Sequence, residues 1–278
     1  MAKQIKDAKK AASDENPEPP KEMSFLDHLE ELRWHLVRSL VAILLVAIVI
    51  FIYRNWVTDN IYLAPYGRDF PLYQWLAEMG IKDFGGINVT TQAIGPYDQF
   101  LLALGMAFMG GFIVAFPYIL WEFWRFLKPG LHNHERNRFR GAVFILSVLF
   151  FAGIAFGYYI IVPFSVSFLA DFQLSAAVEN QWRINKVISM INQIVIAGGL
   201  VFEMPVLVYI LSKMGVVTPD AMKRYWRHAT VVLLLLSALI TPPDVLSQVL
   251  IFIPLAILYR FSIAISAFVN RKREKELE

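Results

Sequence analysis

Long stretches without a charged residue, separated by short polar segments, organise this chain. Residues 99–121 and 141–170 carry no charge over 23 and 30 positions, and 36–53 carries only Arg38, near its start, over 18. A bilayer core about 30 Å thick is crossed by roughly 20 helical residues, so these stretches predict three membrane spans. A fourth, 187–212, has 26 residues interrupted by Glu203, which is followed at once by Met204 and Pro205. Two shorter stretches follow: 228–243 has 16 uncharged residues before the break Thr241-Pro242-Pro243-Asp244, and 245–270 meets Arg260 after 15. Pro242-Pro243 cannot continue a helix, so the last two spans are predicted to form a hairpin. Helices this short predict local thinning of the bilayer or polar ends held inside it.

The charges outside the spans predict their orientation. Lys and Arg number six in 1–35, five in 125–140, four in 213–228 and four in 270–278. The intervening segments 54–96, 171–186 and 242–247 hold three, two and none. Positive segments stay cytoplasmic, which predicts both termini inside and agrees with six spans. Residues 1–22 are polar, charged and proline-bearing, so they read as a flexible cytoplasmic tail before a six-helix membrane domain, 23–270, and a short cytoplasmic tail, 271–278. The first apolar run begins only at Leu36 and lacks a small-residue cleavage site, so it is expected to remain as an anchor.

Composition narrows the chemistry. The chain is 57% hydrophobic and 18% charged, against roughly 45–50% and about 25% in soluble domains, which excludes an ordinary water-soluble enzyme. The absence of cysteine excludes disulfides, thiolate metal sites and a thiol nucleophile. The net charge of +3 follows membrane sides rather than one accessible face, so no nucleic-acid partner is expected. There is no phosphate loop, zinc helix or nucleophile elbow, and no internal repeat. His132 and His134 stand two apart and diverge on a helix, which argues against a metal. We therefore expect neither catalysis nor a metal or cofactor. Gly153 and Gly157 form one GxxxG, read as helix packing within the chain.

Three places could carry binding chemistry. The segment from Ser24 to Arg33 begins with a capping box, Ser24 and Asp27, and sets Phe25, Leu29, Leu32 and Leu36 at helical spacing. Its other side aligns His28, Glu31, His35 and Arg38. A second segment runs from Trp124 to Arg136, where Pro129-Gly130 ends one helix and Asn133 can cap the next, placing Glu135 in its first turn. The third is Glu203, roughly 12 Å from the nearer end of its span. A carboxylate there costs at least about 2.5 kcal/mol, so it should face a wet cavity or a partner, or be protonated. Pro205 deprives the Val201 carbonyl of its helical donor, so a kink and a polar intramembrane groove are expected.

The elements DHLEELR, FLKPGLHNHER, FEMP and TPPDVLSQ, in this order around six spans, resemble the large subunit of the twin-arginine translocase, the TatC family, over about residues 23–270. The resemblance implies an all-α integral membrane protein of the inner (cytoplasmic) membrane: six transmembrane helices in a concave, cup-shaped bundle with two short final helices. It implies a receptor for the twin-arginine signal peptides of folded cargo, driven by the proton-motive force. Single-span partners of the TatA and TatB type would assemble with it, and it would self-associate in the complex. In an extended peptide neighbouring side chains point apart, so two arginines need two acceptors, and carboxylates suit the guanidinium fork. Glu31 and Glu135 match the family's pair; Arg33 and Phe126 match residues that support or line that site. Glu203 matches the intramembrane acid of the concave face, Asp244 and Gln248 match polar positions of the last hairpin that would meet partners, and Pro65 matches the first external loop. Trp34 and His35 stand where the family often has basic residues. The residues alone leave a rival open, an ion-coupled secondary transporter of a small solute with Glu203 as its proton site.

Overall fold

The computed structural model describes residues 25–80, 90–127, 139–172, 175, 180–241 and 245–277. The tail 1–22, Ser24, Glu135, His132, His134, the Pro242-Pro243 turn and Asp244 lie outside the described residues. Among the described residues, five helical stretches are long and apolar enough to cross a membrane: Leu29–Ile52, Asp98–Phe126, Val143–Asp171, Ile184–Lys213 and Ser247–Arg271. A sixth apolar helix, Trp226–Ile240, has 15 residues.

Helix α1, Phe25–Ile52, joins the predicted amphipathic segment and first span without a break. Leu36, Val41, Leu45, Ile48 and Ile52 are exposed along it, an apolar surface suited to lipid. The chain then turns through α2, Arg54–Val57, a wide turn Thr58–Tyr62 and a tight turn Ala64–Tyr66 into α3, Pro71–Glu78. Strand β1, Thr90–Gln92, precedes α4, Asp98–Leu127, which returns antiparallel along α1. Small residues allow the close approach: a Cβ on Gly111 would lie 2.7 Å from the Ile43 carbonyl oxygen.

Helix α5, Phe139–Phe156, passes through a wide turn, Gly157–Ile161, into α6, Val162–Asp171. The widening stands just before Pro163, whose missing N–H breaks the helical ladder there. Strand β2, Gln181–Arg183, pairs in parallel with β1, with Thr90 opposite Gln181, and so ties two separate loops together. Helix α7, Ile184–Phe202, packs on α5 through glycine: a Cβ on Gly153 would lie 2.4 Å from the Gly198 carbonyl oxygen. The GxxxG thus serves packing inside this chain.

Glu203 separates α7 from α8, Met204–Lys213. Pro205 makes the break expected from sequence, but the Val201 carbonyl is not left bare, because N–H groups at the cap bond to the carbonyls of Leu200 and Val201. After α9, Pro219–Arg224, capped by the Thr218 hydroxyl, comes α10, Trp226–Ile240. At 1.5 Å per residue it is about 22 Å long, short of the hydrocarbon thickness. Helix α11, Val245–Leu277, is apolar up to Arg260 and then continues for another four turns or so. Arg260 does not end it: its guanidinium lies over the Trp226 ring, 5.1 Å from the centroid, which keeps the charge paired at the bundle surface.

The buried core is gathered toward the end that carries β1 and β2. Tyr62, Ala103, Ile161, Val166, Ile191, Ile194, Ile240 and Leu255 belong to one apolar cluster there. The opposite end, where α1 starts and α4 finishes, is the basic end of the sequence count and is joined differently.

Candidate functional site

At the basic end α1 places Glu31, His35 and Arg38 at steps of four and three, hence on one helix face. Helix α4 brings Tyr118, Glu122, Arg125 and Phe126 against it at the same steps. Glu122 is the centre of the group, with 1% of its surface exposed. Its carboxylate is hydrogen-bonded to His35 Nδ1. Arg125 Nη1 stands 3.5 Å from one oxygen and Arg38 Nη1 3.9 Å from the other. The Tyr118 hydroxyl lies beside the same carboxylate. A carboxylate this deep is tolerated only when paired and hydrogen-bonded, and here two arginines, an imidazole and a phenol serve it.

His35, 7% exposed, faces a second acid. Its Nε2 is 3.9 Å from Glu31 Oε1. The other oxygen of Glu31, Oε2, is buried and has no hydrogen-bond partner among the described residues. Phe126 is half-buried and meets the His35 ring edge-on at 6.2 Å, so it walls the imidazole on one side. Arg33 is exposed and points elsewhere, with its guanidinium 5.4 Å from the centre of the Trp34 ring. Of the residues anticipated from sequence, Glu31 and Phe126 therefore both meet His35, Arg33 points away toward Trp34, and Glu135 lies outside the described residues.

The other anticipated positions are dispersed. Glu203 is 8% exposed at the α7–α8 joint, and neither carboxylate oxygen has a hydrogen-bond partner among the described residues. The cleft beside that joint is lined by Phe156, Ile194, Val201, Phe202, Pro254 and Leu255, so its wall is apolar and the carboxylate is not part of it. The Gln248 side-chain amide donates to the Leu234 carbonyl at 3.2 Å and so pins α11 to α10. Pro65 is buried at the far end, its carbonyl 2.9 Å from the Tyr73 hydroxyl. No group of His, Asp and Glu suited to a metal ion occurs among the described residues.

Sequence reasoning passed over Glu122, which served only as the charge closing the second uncharged stretch. A signal was present: Tyr118, Glu122 and Arg125 repeat the four-and-three spacing of Glu31, His35 and Arg38 on the neighbouring span. What one sequence could not supply is that the two faces meet.

The family model for the Sec-independent protein translocase protein (TatC) matches residues 27–254. A TatC of Blattabacterium is 36% identical over 260 residues, covering 91% of this chain and 98% of its own length. The TatC of Aquifex aeolicus is 30% identical over 254 residues, covering 91% and 98%. Two crystal structures of the twin-arginine translocase receptor TatC are similar in fold, with TM-scores of 0.68 and 0.69 at 30% and 31% identity. They cover 87% and 85% of this chain, and 99% and 97% of their own. The chain is a multi-pass membrane protein that belongs to the TatC family of Sec-independent protein translocase proteins.

Proposed function

We propose that this TatC-family translocase protein receives twin-arginine signal peptides at its basic end, with Glu31 as one guanidinium acceptor and Glu135 as the other. The observation that carries the reading is the Glu31 carboxylate, which holds a buried oxygen free of any donor among the described residues, beside a wall formed by Phe126 and His35. A guanidinium presents planar paired donors, and a carboxylate with a free oxygen on a rigid helix is its natural complement. The basic end is cytoplasmic, as the Lys and Arg distribution supports, and the membrane is the inner membrane, as the family membership implies.

The apolar part of the signal then lodges along the bundle near Glu203. Single-span partners of the TatA and TatB type, together with further copies of this chain, assemble around the α10–α11 hairpin at Asp244 and Gln248 and at the Pro65 turn. Transport of folded cargo draws on the proton-motive force.

Photo-crosslinking of a twin-arginine signal peptide to the purified chain tests receptor and site together. Crosslinks are expected at residues around Glu31 and Phe126. Replacing both signal arginines with lysine should weaken binding about tenfold or more, since an ammonium forfeits a forked charge-assisted bond worth about 1.5–3 kcal/mol. Equal affinity for the two peptides would remove the guanidinium argument.

A further inference from the structure

We infer that Glu122 is a positioning residue of the signal-arginine site: it collects the basic groups of α1 and α4, and so keeps Glu31 open for an incoming guanidinium. The inference rests on the reading of Glu31 as an acceptor.

The geometry points this way because His35 lies between two carboxylates. Its Nδ1 is bonded to Glu122, and its Nε2 faces Glu31 at 3.9 Å. An ionised carboxylate only accepts hydrogen bonds, so the bond to Glu122 places a ring proton on Nδ1. In the neutral ring that leaves a lone pair, not a donor, on the nitrogen facing Glu31. Glu31 Oε2 correspondingly has no partner among the described residues although it is buried. Two further basic groups are drawn to the same point: Arg125 and Arg38 stand 3.5 and 3.9 Å from Glu122, with half-exposed side chains that reach it from the rim, whereas Arg33 lies over Trp34. The Tyr118 hydroxyl lies beside it too.

Without the Glu122 carboxylate, Nδ1 loses its acceptor, and the remaining anion that faces the ring among the described residues is Glu31. The ring proton then moves to Nε2, and the imidazole donates to the acceptor that the signal needs. Arg38 and Arg125, half-exposed, can turn to water. Glu122 thus acts on the signal through His35, without touching it.

The test measures binding of a dye-labelled twin-arginine signal peptide to the intact detergent-purified protein. Glu122→Met, which removes the acceptor at similar volume, is expected to raise Kd roughly fivefold to tenfold, the range for losing a partly buried ion contact. Glu122→Gln, which keeps an acceptor oxygen, should fall between it and the parent. In a His35→Gln background the Glu122→Met loss should shrink to within about twofold, because the competing ring is gone. A merely structural Glu122 would lose affinity equally in both backgrounds, and that result overturns the inference, as does unaltered affinity in Glu122→Met. Should that variant fail to fold, histidine-labelled NMR of the parent decides: His35 is expected as the Nδ1–H tautomer, and an Nε2–H tautomer refutes the scheme. Glu31→Gln separates the two failures. Parent-like affinity there removes Glu31 from the site, whereas weakened binding there with unaltered binding in Glu122→Met removes only the role of Glu122.

Discussion

At the far end of the bundle, the hydroxyl groups of Tyr62, Tyr73, Tyr158 and Ser167 close on neutral partners, while the buried Tyr66 hydroxyl has none among the described residues. Tyr62 donates to Asn192 at 2.6 Å, Tyr158 to the Ile61 carbonyl at 2.7 Å, and the Tyr73 hydroxyl lies 2.9 and 3.1 Å from the carbonyls of Pro65 and Pro163 while accepting from Ser167. Phe70 stacks on Tyr159, Tyr66 meets Trp182 edge-on, and β1 with β2 ties the loops above. At the basic end the joint between α1 and α4 is ionic instead, and Glu31 keeps one oxygen unpaired among the described residues. Neutral contacts of this kind fix a shape and offer no charge for a ligand to compete for. An ionic cluster with one valence open holds its helices together and still has an interaction to offer. The comparison teaches where stability and binding should separate under mutation.

The largest effect should come from the helix contact on which both ends depend. A leucine in place of Gly153 would drive its Cβ into the Gly198 backbone, where 2.4 Å separates the atoms. Backbone cannot rotate away as a side chain can, so α5 and α7 must part. We expect a loss beyond about 3 kcal/mol, seen as failure to accumulate or as early loss of the monodisperse peak on heating in detergent. Wild-type stability would mean that the two helices are not locked at this point.

Next in size is a change confined to the far end. Tyr73→Phe removes one hydroxyl shared by Pro65, Pro163 and Ser167, leaving buried acceptors short of a donor. The expected loss is about 1–3 kcal/mol in thermal unfolding, with signal-peptide affinity unchanged. A parallel loss of affinity would break the separation between the two ends.

Alkaline pH sharpens it further. Burial pushes the Tyr62 phenol from 10.0 up to about 12, because the phenolate cannot be hydrated there. The folded state therefore binds that proton more tightly than the unfolded chain. Its contribution, of order 2 kcal/mol, is complete below about pH 10 and is lost as pH rises toward 12. The stability gap between the parent and Tyr62→Phe should accordingly narrow over that interval, followed by thermal unfolding at successive pH values. A gap that stays constant would mean that Tyr62 is hydrated in the folded protein.

The spans were legible because hydropathy is additive along a helix: every predicted uncharged stretch lies within or overlaps a described apolar helix, with the ends extended by a turn or two. The amphipathic stripe Glu31, His35 and Arg38 was legible for the same reason. The β1–β2 pair was not, since each strand has three residues and its partner stands 91 positions away at Thr90–Gln181. Glu122 was hidden by its place at the boundary of a span, where a charge ordinarily marks the headgroup region. Burial against α1 reverses that meaning, and burial is a tertiary fact. The resemblance to TatC supplied Glu31 and Phe126 as neighbours; the imidazole bridge between two acids came only from the fold.

Glu203 lies between the two ends and should give the smallest effect, which makes it informative. It is as secluded as His35, yet neither oxygen has a hydrogen-bond partner and no basic side chain stands within ion-pair distance of it among the described residues. Glu203→Gln keeps the shape and forfeits no visible bond, while relieving whatever a carboxylate costs inside a bilayer. Its stability should therefore hold or rise, by no more than about 1 kcal/mol. If the far-end logic applied to Glu203, the change would destabilise the protein as Tyr73→Phe does. If instead stability holds while export of a folded reporter declines, the carboxylate is retained for an encounter with another chain, as acids kept against the interest of stability commonly are. Measuring unfolding and export on the same preparation distinguishes the two.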